Sequence, residues 1–159
     1  MDAFLKFDGI EGGSQSEGNQ GAVEVLSWSW GVTAQGGDAG GGAGGWGGVG
    51  RARAHEFRIV HHYDLASPHL ASFAASGKHL TGATLDVATP SAGAGFLIVT
   101  MKDLVVTEVL VSGGDDAVDE EVALQPAWIR LDHAESGSSG GATGRTSSVT
   151  WDIRSNKVG

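Results

Sequence analysis

Val25-Leu26-Ser27-Trp28-Ser29-Trp30-Gly31, read VLSWSWG, alternates large and small side chains. Successive side chains of a β-strand point to opposite faces, so a period of two marks a strand with one face buried. Over Ala22 to Val32 this predicts Leu26, Trp28 and Trp30 in the core, with Val25, Ser27 and Ser29 on the other face. Large aromatics dominate small cores because each buries so much area.

The same period recurs along the chain. Arg51 to Tyr63 places Phe57 and Ile59 on one face and Glu56 and Arg58 opposite. Leu80 to Ala88 is rich in Thr, Leu and Val, and Gly95 to Ser112 is a long β-prone stretch, bent or broken near Lys102-Asp103. Ala117 to His133 alternates through Val122 and Leu124, then through Ile129 and Leu131. The parity switches at Gln125-Pro126-Ala127; Pro cannot donate to a ladder, so a bulge or sheet edge is predicted there. Ser147 to Arg154 puts Val149, Trp151 and Ile153 on one face. Phe4, in the alternating opening stretch, is assigned to the core as well.

One segment departs from this pattern. Residues 67–76 carry helix signals: Ser67 suits an N-cap, Pro68 the first helical position, and Gly77 a left-handed C-cap. Leu70, Phe73 and Ala74 form a short apolar stripe at helical spacing. So short a helix is stable only when packed on something else. Seven or eight short strands with one flanking α-helix predict a mainly β fold, a compact antiparallel barrel or sandwich. The chain is 159 residues long, the size of a single domain spanning 1–159.

Gly36 to Gly50 reads GGDAGGGAGGWGGVG, with glycine at ten of its fifteen positions. Gly45 to Gly50 matches the dinucleotide-binding pattern G-x-G-x-x-G. That site needs a helix after the glycines to hold the pyrophosphate, and the following residues read as strand. Composition alone produces the match. The segment is expected to be a long loop projecting from the barrel, with Gly36, Asp38, Trp46 and Val49 as its candidate contact positions.

Composition narrows the function further. The net charge is -9, which disfavours nucleic acid, since phosphate contact needs clustered Lys and Arg. No apolar run approaches a membrane span, and no signal peptide is expected at the N-terminus. There are no cysteines, hence no disulfides and no thiol chemistry. Asp115, Asp116, Asp119, Glu120 and Glu121 form the densest charge run, read as a solvated turn because its spacing does not fit a calcium loop. The six histidines form no metal-binding pair and read as exposed structural residues. No serine sits in a nucleophile elbow, and no carboxylates are paired for acid–base work. An enzyme is not expected, and neither a metal nor a cofactor is.

Several segments taken together resemble one family. They are Phe4-Leu5-Lys6-Phe7-Asp8-Gly9-Ile10-Glu11-Gly12, Val25 to Gly31, Ser67-Pro68-His69-Leu70 with Gly77-Lys78-His79, Val99-Thr100-Met101 leading to Val105-Val106-Thr107, Glu120 to Leu124, and Trp151 to Asn156. In this order and spacing the chain resembles Hcp, the hemolysin-coregulated tube protein of type VI secretion systems. The resemblance implies a β-barrel flanked by a short helix, assembling into hexameric rings that stack into a hollow inner tube. It implies sheath and spike proteins as partners, with small effectors carried inside the ring. It also implies residence in the cytoplasm before firing and secretion through the machine. In such a ring Ser27 and Ser29 would face the lumen and make a wet, non-adhesive bore. The alternatives are the tail tube of a phage-tail-like contractile particle and a stand-alone β-sandwich binding module. For the binding module, the aromatics left for a surface patch are Trp46 and Trp128.

Overall fold

A computed structural model describes residues 1–34, 52–137 and 142–159. In chain order these form β1 (Asp2–Phe7), β2 (Val23–Ser29), β3 (Val32–Ala34), β4 (Ala52–Ala54), β5 (Phe57–His62), α1 (Ser67–Ser76), β6 (Leu80–Thr89), β7 (Gly93–Gly114), β8 (Ala117–Ser136), β9 (Ala142–Asp152) and β10 (Lys157–Val158). The main sheet runs β10-β9-β8-β5-β2-β1-β6-β7, and β7 also pairs with β8. Six strands therefore close into an antiparallel barrel, β8-β5-β2-β1-β6-β7, with β9 and β10 extending the sheet outside it. A closed barrel satisfies its own backbone, which an open sheet of this size leaves unpaired at two edges. The strands are not all short: β7 has 22 residues and β8 has 20. Each serves in two parts of the sheet.

The core fills the barrel with the inward residues of every strand, including Leu5, Phe7, Val23, Phe57, Ile59, Leu85, Met101, Val122, Leu124 and Ile129. Leu70 of α1 and Trp151 of β9 are buried in the same cluster; Trp28, Trp30, Phe73 and Ile153 pack against it half-buried.

Two residues assigned to the core lie elsewhere. Leu26 is 45% exposed. The β2–β5 register shifts between Val25↔His61 and Ser27↔Val60, so Leu26 is the extra residue of a β-bulge. Before the bulge Val23 and Val25 point inward; after it Trp28 does. Unbroken alternation cannot put Leu26 and Trp28 on one face across such an insertion. Phe4 is the second correction. The inward face of β1 is Ala3, Leu5 and Phe7, so Phe4 points outward, opposite Glu24 and Asp86 on the flanking strands.

The irregularities read near residues 102–103 and 125–127 are one feature. On β7 the buried face passes from Val99 and Met101 to Leu104 and Val106, and Asp103 between them has φ 52°. On β8 it passes from Val122 and Leu124 to Ile129. The pairs Lys102↔Trp128 and Leu104↔Pro126 bracket Asp103 and Ala127, so both strands change face at one level. There β8 exchanges partners: pairing with β5 ends at Leu124, and pairing with β9 begins at Trp128. Pro126 occupies the gap between two ladders, where a missing donor costs little.

Helix α1 covers residues 67–76 and packs against β7. Its N-cap is Ala66, not Ser67. The hydroxyl of Ser67 instead accepts from the N–H of Asp64 at 3.0 Å, and the Asp64 carboxylate accepts from Ala66 and from Gly13. The Asp64 carboxylate thus fixes the turn that leads into the helix, while the helix start itself has no side-chain cap. Gly77 ends the helix at φ 68°, its N–H donating to Phe73.

Candidate functional site

The outward face of β2, β5, β8 and β7 carries the residues that the sequence singles out. Ser27 and Ser29 are exposed there. Across the ladder Ser29 faces Arg58, which faces Ala123, which faces Glu108; Ser27 faces Val60, then Glu121, then Leu110. Arg58 contacts three carboxylates: Glu56 at 2.8 Å, and Glu108 and Glu121 at 3.0 Å each. The hydrogen bonds it donates, first to Glu108 and then to Glu121, raise its pKa above the ordinary guanidinium value. The pairs are solvated, so each contributes little to stability alone. Together they hold a planar cation and its acids flat on the sheet. The result is a surface of hydroxyls and paired ions.

Among the described residues two edges of this four-strand sheet are open. Among the described residues β1 pairs with β2 only as far as Val25, so Leu26 to Ser29 has β5 alone as neighbour. The β6–β7 ladder stops at Leu104, so Val105 to Gly114 pairs only with β8. Leu26, Leu110 and Val111 are exposed along these edges.

Beyond β2 the chain rises into an arm made of β3 and β4, with Thr33 and His55 side chains hydrogen-bonded across it. A cleft of about 770 Å³ lies at its base, lined by Ser29, Trp30, Arg53, His55, Arg58 and Gln125 among others. The candidate loop contacts Gly36, Asp38, Trp46 and Val49 fall outside the described residues. Trp128 is half-buried, with the Lys102 ammonium 4.3 Å from its ring centre.

The histidines divide. His62 pairs with Asp119 and His79 with Asp103, each at 2.6 Å on the surface. His61 is the exception to exposure: it is completely buried, facing the equally buried Glu120. Glu120 belongs to the acidic run read as a solvated turn; only Asp115 and Asp116 form the turn, and Glu120 lies within β8, paired with His61 of β5. The signal available was parity, since Glu120 shares its face with Val122 and Leu124. Among the described residues no group of three or more His, Asp or Glu is placed to hold a metal ion.

The model of the family described as type VI secretion system effector, Hcp, matches residues 4–148. The chain belongs to the Hcp family. It is 30% identical over 160 residues to protein hcp1 of Pseudomonas aeruginosa, covering 98% of this chain and 97% of that one. Its fold matches the crystal structure of Hcp1 from Salmonella typhimurium with a TM-score of 0.80 and 30% identity, over 99% and 97% of the two chains. A further structure of a type six secretion system protein superposes with a TM-score of 0.89 at 23% identity, over 99% of each chain, a likeness of fold. This Hcp is thus a type VI secretion tube or effector protein, mainly β, with one short helix. Among its described residues no helix is long and apolar enough to cross a membrane.

Proposed function

We propose that this Hcp is the structural subunit of the inner tube of a type VI secretion machine. Rings of six copies stack into a hollow tube and carry or chaperone effectors. The observation that carries this reading is the pair of open edges on one four-strand sheet. An edge strand with unpaired N–H and C=O groups and exposed apolar side chains is a template for another strand. Leu26 to Ser29 and Val105 to Gly114 lie on opposite sides of the same sheet. A contact between unlike edges of successive copies is heterologous, and such contacts generate a ring when the rotation closes. The number six comes from the family. In that ring the face bearing Ser27 and Ser29 lines the bore, presenting hydroxyls and paired ions to cargo.

The loop with Gly36, Asp38, Trp46 and Val49 meets a neighbouring subunit or the next ring. Sheath and spike proteins of the machine are the outer partners. The protein resides in the cytoplasm before firing and leaves through the machine. Negative-stain microscopy of the purified protein tests the reading. Rings of six, or tubes, support it; a monodisperse monomer at high concentration overturns it.

A further inference from the structure

His61 on β5 and Glu120 on β8 are direct cross-strand partners, both pointing into the barrel. Their side chains are 0% exposed, and Nε2 lies 3.2 Å from Oε2. That is ion-pair range but off the hydrogen-bond direction, so neither ring nitrogen nor either carboxylate oxygen has an aligned partner. On β2 the residue opposite His61 is the buried Val25, and on β7 the residue opposite Glu120 is Val111, which is exposed on its far side. The neighbouring acids Asp119 and Glu121 point to the other face of β8, and Glu24 to the other face of β2. Among the described residues one further titratable group faces the pair: Asp64, whose Oδ1 is 4.0 Å from His61 Nδ1. The same carboxylate is tied to Gly13 and Ala66, and Ser67 of α1 closes that turn. Helix α1 itself brings no titratable side chain inside, for His69 is exposed.

A buried charge is tolerated only beside its counter-charge. An imidazolium next to a carboxylate satisfies this, and so does the neutral imidazole next to a carboxylic acid. Both arrangements hold one proton between the two groups. A second proton leaves the cation with the more distant Asp64 carboxylate as its one counter-charge, and loss of the shared proton leaves an anion with none. We infer that the His61–Glu120 pair is a one-proton lock at the end of the barrel, which opens when the pair gains or loses a proton.

The sign follows from the unfolded chain, where Glu titrates near about 4.3 and His near about 6.5. Between those values the unfolded pair also holds one proton, so the lock adds no pH slope. Above about pH 6.5 the unfolded chain holds fewer protons than the folded one, and stability falls as pH rises. Below about pH 4.3 it holds more, and stability falls as pH falls. A one-proton difference changes the unfolding constant by about tenfold per pH unit. The residues released first are those tied to this end, the Asp64–Ser67 turn and α1.

The experiment compares urea unfolding of the full chain and its His61→Leu/Glu120→Leu variant from pH 5 to 9. The lock requires the wild-type unfolding constant to rise relative to the variant's above pH 6.5, approaching tenfold per unit. Parallel profiles overturn it. A second measurement needs no variant: imidazole NMR of the histidine-labelled wild-type protein. His61 ring signals that stay unchanged through the pH range in which those of exposed His69 move support the lock; His61 and His69 signals moving together overturn it.

Discussion

Trp28 stacks on Phe57, with ring centroids 6.0 Å apart and planes within 6° of parallel. The stack exists because the bulge at Leu26 turns Trp28 inward toward the fully buried Phe57. Removing a large aromatic from such a contact costs about 2–3 kcal/mol when the site is half-buried, somewhat below the range for complete burial. Trp28→Ala is therefore expected to destabilise the barrel by that amount. Leu26→Ala, on the exposed residue, is expected to change stability by less than about 0.5 kcal/mol. Urea unfolding of both variants, at a concentration where the oligomeric state is matched, checks the pair. Equal costs would return Leu26 to the core and remove the bulge from the description.

Asp103 predicts an acid-side effect. It sits at the kink of β7 and accepts from His79 at 2.6 Å and from Arg154 of the C-terminal turn. These two partners, His79 first, hold its carboxyl below the ordinary Asp value. A depressed folded-state pKa contributes stability above the unfolded value, near about 3.9, which is lost as pH falls through the folded one. Asp103→Asn is expected to lose this acid limb while keeping the backbone, because Asn tolerates φ 52° nearly as well as Asp. Thermal unfolding from pH 6 down to pH 2 checks it. The gap between wild type and variant narrows below pH 4; a gap constant with pH contradicts the assignment.

The fold was legible where period two ran unbroken, and less so where it slipped. Phe57 and Ile59, Val122 and Leu124, and Trp151 are buried as their alternation requires. Leu26 was misread because a bulge leaves no composition signal: nothing in V-L-S-W-S-W announces an inserted residue. Phe4 was misread because an aromatic outweighed the parity of Ala3, Leu5 and Phe7, which marks the inward face. Pro126 did announce its irregularity, since its chemistry excludes it from a central ladder. Closure of the barrel through β7 and β8 was not legible, because which strands pair is a long-range matter. The same holds for Arg58 and its three acids, which lie up to 63 residues apart in sequence. Glu120 was hidden by its neighbours, four other acids that make the run look solvated.

Asp64 is expected to act as a clamp for the end of the barrel. Its carboxylate receives the N–H of Gly13 at 2.9 Å and that of Ala66 at 2.8 Å, joining the loop after β1 to the start of α1. Asp64→Ala leaves the part-buried Ala66 N–H without its partner and turns the exposed Gly13 N–H to water, at a cost of about 1 kcal/mol. Amide hydrogen exchange should accelerate in residues 11–22 and in α1 before the rest of the barrel. Uniform acceleration across all strands would show that Asp64 acts through global stability alone.

Trp46 carries the expectation for the glycine-rich loop. It is the one large side chain between Gly36 and Gly50. Glycine loses more conformational freedom on ordering than other residues, so in the proposed tube a large side chain making contact is what offsets that cost. Trp46→Ala is expected to weaken ring stacking while changing fold stability by less than about 0.5 kcal/mol. Tube length by microscopy, set beside the urea midpoint, checks it. Tubes of unchanged length would remove Trp46 from the contact.

Ser29 separates a bore-lining face from an assembly face. It is exposed, lies opposite Arg58, and borders the cleft at the foot of the arm. If the Ser27 and Ser29 face lines the lumen, a bulky side chain there projects into the bore and obstructs cargo, while the backbone edge of Leu26 to Ser29 keeps its N–H and C=O groups for the ring contact. Ser29→Trp is expected to leave rings intact and to lower effector retention by about tenfold, the change that 1.4 kcal/mol of lost affinity produces. The checks are microscopy of the rings and co-purification of an effector with them. Ser27 gives the control from the same face, since Ser27→Trp should act in the same direction. Rings that fall apart on Ser29→Trp would place this residue between subunits, and the bore would then be lined by another face of the barrel.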